Sequence, residues 1–133
     1  MTIYVDTSAF LSVLDADDGF HAAATETWKD LLNSEATLLV TNYILLETVS
    51  LVQHRLGVRA ARSFHEDIVP LLQVVWLDET AHNAGIAHML AAGRRHLSLV
   101  DCASFHVMRR LGLRTAFTLD RHFAREGFQC IPR

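Results

Sequence analysis

The sequence predicts an α/β fold built on a mainly parallel sheet. Three observations predict it. Short runs rich in apolar and β-branched residues alternate with longer segments of helical period along the whole chain. The helical segments open on Ser, Thr, Asp or Asn, and several close on Gly. Acidic residues fall just after the first and fourth strands, where open α/β sheets place their ligands.

The first strand is expected at residues 2–6, because Ile3, Tyr4 and Val5 favour extended backbone and run straight into Asp6. Thr7 or Ser8 caps a short helix through Leu14. Residues 15–19 form an acidic turn facing solvent. A helix follows at 20–32, with Ala23, Ala24, Thr27, Trp28 and Leu31 at core spacing. The second strand is 37–40. Thr41 or Asn42 caps a helix through Leu56 that Gly57 ends, apolar nearly all round except for Glu47. Residues 59–69 read as a helix stopped before Pro70. The third strand is 72–76, and Asp78 or Thr80 caps an alanine-rich helix closed by Gly93. Ser98 opens a helix to Leu111, followed by Gly112. The fourth strand is 115–118, Asp120 begins a short helical turn ending at Gly127, and 128–131 is the last strand. With no repeat, low-complexity run or linker, residues 1–133 are expected to form one domain.

Composition narrows the class. Half of the 133 residues are apolar and a fifth are charged, which describes a folded globular chain. No apolar run reaches the roughly 18 residues of a membrane span, and Asp6 interrupts the N-terminal apolar stretch, so a cytoplasmic protein without a membrane role is expected. Cys102 and Cys130 form no C-x-x-C pair and read as free, buried thiols. The net charge of −3 hides a split. Residues 1–93 set four basic side chains against twelve acids, whereas residues 94–133 set eight arginines against three acids. Arginine suits forked phosphate contacts, and Arg94, Arg95, Arg121 and Arg125 are the candidates for binding a nucleic-acid backbone.

Four acids stand in apolar surroundings: Asp6, Glu47, Asp101 and Asp120. Each has a plain structural reading. Asp6 and Asp120 suit helix N-caps, and Asp101 follows Ser98 at capping-box spacing. Glu47 lies past the first helical turn and needs a cation, a hydrogen bond or a proton; pairing with an arginine is its simplest explanation. Taken together, the four point to a hard divalent cation, which takes oxygen ligands. The eight histidines make no zinc spacing and read as surface or satisfied core residues. Dinucleotide, P-loop and nucleophile-elbow motifs are absent. A phosphoryl-accepting aspartate after strand 1 would call for a lysine, and the only one, Lys29, lies in a helix far from any strand end.

The segments Val5-Asp6-Thr7-Ser8, Tyr43 to Thr48 around Glu47, Ser98 to Ser104 around Asp101, and Thr118 to Phe123 around Asp120 resemble the PIN-domain family, specifically its VapC-like toxin branch. The resemblance covers essentially the whole chain in order. It implies a five-stranded sheet of order 3-2-1-4-5, which puts strands 1 and 4 side by side at a switch point. It also implies a catalytic site of Asp6, Glu47, Asp101 and Asp120. Asp6 and Asp101 would be the direct ligands of Mg²⁺ or Mn²⁺, Asp120 a second-metal or water-mediated ligand, and Glu47 the residue that orients the attacking water. Thr7, Ser8 and Thr118 would support the carboxylates or the phosphate. The implied activity is endonucleolytic cleavage of RNA. The implied partners are the RNA, a VapB-like antitoxin whose C-terminal segment blocks the acidic pocket, and a second copy in a homodimer. A PIN nuclease of RNA processing and a non-catalytic RNA- or partner-binding module are the alternatives.

Overall fold

The computed structural model describes residues 1–133. Its centre is β1 (Thr2–Val5), the middle strand of a five-stranded parallel sheet. On one side β1 pairs with β2 (Thr37–Thr41), which pairs with β3 (Gln73–Val75). On the other it pairs with β4 (Thr115–Phe117), which pairs with β5 (Gln129–Ile131). The order is therefore 3-2-1-4-5, as the resemblance implies. Ile3, Tyr4 and Val5 are all buried, as a strand covered on both faces requires. Tyr4 carries the one hydroxyl among them, which lies 2.6 Å from Ser104 Oγ; burial pushes its phenol well above the ordinary range.

The helices are α1 (Thr7–Leu14), α2 (His21–Leu32), α3 (Asn42–Leu56), α4 (Val58–Ser63), α5 (Glu79–Ala92), α6 (Leu99–Arg110) and α7 (Arg121–Arg125). Their caps follow the residue chemistry. Thr41 caps α3, Asp78 caps α5, and Ser98 with Asp101 completes the capping box of α6. The cap of α1 is Asp6, not Thr7 or Ser8, which are already helical. Gly93 closes α5 in the left-handed conformation, φ 61°. Gly85 lets α5 and α6 approach closely: a Cβ there would meet Leu99 Cδ1 at 3.2 Å and the Ala103 nitrogen at 3.3 Å.

Three expectations change. The helix expected at 59–69 ends at Ser63 and continues as a π-helical turn, Phe64–Ile68, and a 3-10 turn, Val69–Leu71, that contains Pro70. The wider turn lets Phe64 bury its ring edge-on against Phe10. On α2 only Ala24 is fully buried; Trp28 and Leu31 pack partly, and Ala23 is exposed beside the C-terminal residues Pro132 and Arg133. Cys102 is buried and free as expected, whereas Cys130 on the edge strand β5 is only half-buried. No helix is long and apolar enough to cross a membrane.

Candidate functional site

The ends of β1 and β4 build the site. Parallel pairing of Val5 with Phe117 brings the residues after both strands to one edge. Asp6 and Thr118 are buried there. Asp6 Oδ2 accepts the Ser8 hydroxyl at 2.7 Å and the Thr118 hydroxyl at 3.0 Å. Those two hydroxyls in turn accept backbone N–H groups of the following loop. Leu119 N donates to Ser8 Oγ and Asp120 N to Thr118 Oγ1, each at 2.9 Å. A single carboxylate oxygen thus ties two strand ends and one loop together. Oδ1 of Asp6 has no hydrogen bond within the protein.

Asp101, on the first turn of α6, is buried, and its Oδ2 accepts the Ser98 N–H at 3.2 Å. Asp120 caps α7, with Oδ1 accepting the His122 N–H at 2.9 Å. Glu47 enters from α3, half-buried. Thr48 donates to the Thr7 hydroxyl at 3.1 Å, and Thr7 lines the cavity beside Glu47. Asp6, Thr7, Ser8, Glu47, Asp101 and Asp120 line one open cavity of about 240 Å³. Thr118 lies behind this wall and acts on it through Asp6.

The capping role foreseen for Asp6, Asp101 and Asp120 is real. It coexists with the convergence, because a helix N-terminus at a strand end faces the same cavity as its neighbour. The arginine partner foreseen for Glu47 is absent: every ion pair of the molecule involves Glu126 or Asp120, and none involves Asp6, Glu47 or Asp101. Asp6, Glu47 and Asp101 therefore titrate high. Burial pushes Asp6 up to about 6, against its bond from Ser8, and the Asp101 charge adds to the rise. Burial also raises Glu47, with the Asp6 and Asp120 charges acting in the same direction. Asp101 is raised by burial and then by Asp120.

Two histidines were missed in the sequence: His96, which lines the cavity, and His122, which stands beside Asp120. His122 Nε2 lies 4.0 Å from Asp120 Oδ1, and its buried Nδ1 has no hydrogen-bond partner. Ligand atoms of Asp101, Asp120 and His122 lie within 4.8 Å of one another. Asp6 belongs to the same cavity but not to that closest grouping. The signal was the spacing Asp120-x-His122 at a helix start, which a search for zinc motifs passes over. Uncompensated carboxylates with one imidazole suit a hard divalent cation by donor chemistry and by charge. The proposed backbone-binding arginines stand outside. Arg121 lines a depression next to the cavity, Arg94 reaches to 3.9 Å from Glu126, and Arg95 and Arg125 are exposed.

Fold and site together define a class: a parallel α/β protein of order 3-2-1-4-5 with an acidic, cation-fitting cavity at its switch point. The PIN domain model matches residues 3–128, and the chain belongs to the PIN-domain family. It is similar to the 23S rRNA-specific endonuclease VapC20 of Mycobacterium tuberculosis, with 31% identity over 95% of each chain. Ribonuclease VapC26 of the same organism is 30% identical over 90% of this chain and 88% of its own. The crystal structure of VapC20, described as a sarcin–ricin loop cleaving toxin, superposes with a TM-score of 0.85 at 28% identity over 95% of both chains. VapBC2 from Rickettsia felis, solved with a promoter DNA fragment, shares the fold, with a TM-score of 0.71 at 11% identity over 98% of this chain and 97% of its own.

Proposed function

We propose that this protein is a VapC-like toxin, a divalent-metal-dependent endoribonuclease that cuts RNA at the acidic cavity. One observation carries the reading. Four carboxylates converge without a single lysine or arginine among them, in a chain 31% identical to an RNA endonuclease along nearly its full length.

Asp6 and Asp101 hold Mg²⁺ or Mn²⁺, and Asp120 with His122 forms the adjoining part of the same donor set. When bound, the cation supplies Lewis-acid activation of water and neutralises charge on the scissile phosphate. Glu47 orients the attacking water and accepts its proton; burial raises its carboxyl above the ordinary range, which makes it a stronger base than a free glutamate. Ser8 and Thr118 lock the Asp6 carboxylate by donating to Oδ2, so Oδ1 keeps one orientation. Thr7, held by the Thr48 hydroxyl, supports Glu47 from the same wall of the cavity. Arg121, with Arg94, Arg95 and Arg125, contacts flanking phosphates, which adds affinity and little sequence information.

The relative named for 23S rRNA directs the choice of RNA to the sarcin–ricin loop. Two protein partners complete the proposal. A VapB-like antitoxin inhibits by placing an arginine among the carboxylates, where its charge replaces that of the cation. A second copy of the chain covers the apolar face of Tyr43, Leu46 and Trp76, of which Leu46 and Trp76 are 69% and 74% exposed.

The test is cleavage of a sarcin–ricin loop hairpin and of a mixed RNA pool in Mg²⁺ or Mn²⁺, comparing the parent with Asp6→Asn. Cleavage by the parent alone, stopped by chelator, supports the reading. Equal cleavage by both proteins overturns it.

A further inference from the structure

Phe20 is an aromatic ring with no evident role in folding. It is 58% exposed and takes no part in the hydrophobic core. It sits at the end of an otherwise acidic turn, as the residue before α2. Its backbone is nevertheless held firmly. Asp18 Oδ1 accepts the Phe20 N–H at 2.8 Å and the Ser12 hydroxyl at 3.0 Å. The ring of His21 donates from Nδ1 to the Ser12 carbonyl at 2.8 Å, and Ala24 N donates to the Phe20 carbonyl at 2.9 Å. The backbone of the turn is therefore tied to α1 and carries the ring into solvent.

The ring faces a depression of about 270 Å³ whose other walls include Thr118, Leu119, Asp120, Arg121 and Cys130. Asp120 lines both this depression and the acidic cavity, so the two adjoin at that residue. Apolar side chains on one wall, an exposed guanidinium on another and a carboxylate site next door match one nucleotide: a base on the ring and its phosphate at Arg121. Unpaired bases of RNA are commonly recognised by stacking on such rings, and stacking tolerates any base.

We infer that Phe20 and Arg121 form a subsite for one unpaired nucleotide of the RNA strand, adjacent to the bond that is cut. This rests on the nuclease reading above and adds a residue that selects unpaired RNA. Phe20 binds substrate and takes no part in the chemistry.

The experiment measures single-turnover cleavage of the sarcin–ricin loop hairpin and the mixed RNA pool in Mn²⁺ by the parent, Phe20→Ala, Phe20→Leu and Phe20→Trp. Loss of one base stack predicts kcat/KM lower by about 5- to 150-fold in Phe20→Ala, mainly through KM. Phe20→Leu keeps apolar bulk without a ring and stays slow, whereas Phe20→Trp recovers most of the rate. Because the ring is exposed, melting temperatures of all four proteins agree. Cleavage by Phe20→Ala or Phe20→Leu at the parent rate overturns the inference alone, whatever partner binding those variants lose. A tryptophan variant as slow as alanine also overturns it. A parent that cuts neither RNA overturns the nuclease reading and the inference with it.

Discussion

Glu126, after the last turn of α7, and Asp6, after β1, are both largely covered carboxylates, yet they titrate in opposite directions. Burial raises both. At Glu126 that rise is overcome by Arg109, which donates at 2.5 Å, and by His88 at 3.3 Å, so its carboxyl ends below the usual range. Arg109 also lies over the Phe128 ring, 5.4 Å from its centre. Glu126 is thus a latch joining α5, α6 and α7 through basic side chains the chain itself supplies. Around Asp6 the chain supplies hydroxyls and more carboxylates, and no lysine or arginine. One acidic site is balanced by basic side chains of the chain itself, whereas the other has no lysine or arginine within it.

The largest expected effect breaks the uncompensated site. Asp101→Asn removes a ligand charge while retaining the capping geometry, and is expected to slow RNA cleavage by about 10³-fold or more. Glu47→Gln, which keeps the shape but cannot accept the proton, is expected to cost about 10²- to 10⁴-fold in kcat. Steady-state cleavage assays check both. Either variant cutting at the parent rate would remove its residue from the mechanism.

Stability sharpens the contrast. The folded pKa of Asp6, about 6, lies above its unfolded value near 3.8, so between these the folded state holds a proton the unfolded chain has released. Metal-free stability therefore falls as pH rises through that window, by about 2–3 kcal/mol in total. Asp6→Asn removes the Asp6 share of this fall, leaving that of the likewise raised Glu47 and Asp101, and metal-free Asp6→Asn is expected to be more stable than the parent at pH 7.5 by up to that amount. Urea titrations at pH 4, 5, 6 and 7.5 in chelator measure it. Glu126 has the reverse sign: its contribution is present above its unfolded value and is lost as pH falls through the lowered folded one. The smallest effect belongs here. Arg109 is half-exposed, so Glu126→Gln is expected to cost about 0.5–1 kcal/mol and to leave cleavage nearly unchanged. A large loss of cleavage in Glu126→Gln would show that the two acidic sites are coupled.

Much of this was legible in the sequence because it is local. Caps, glycine stops and the apolar strands are written within a few residues of where they act. Ser98 and Asp101 announce their capping box, and Gly93 its helix end. Non-local facts were not legible. Nothing in Val5 or Phe117 says that they pair, and that pairing is what joins Asp6 to Asp120; only the family resemblance implied it. His122 escaped because its meaning depends on Asp101, 21 residues away in the chain. The apolar face of α3 was visible, but the exposure of Leu46 depends on what packs beside it. In the sequence Phe20 reads as an ordinary helix start, since exposure of a ring is decided by tertiary contacts.

The most direct measurement of the central claim is a calorimetric titration of Mn²⁺ into the metal-free parent, Asp6→Asn and Asp101→Asn. The account predicts saturable binding to the parent, at least about tenfold weaker in either variant, as expected when one ligand charge is lost. Binding of equal strength in all three proteins, or none in the parent, would contradict the assignment of this cavity as a divalent-cation site.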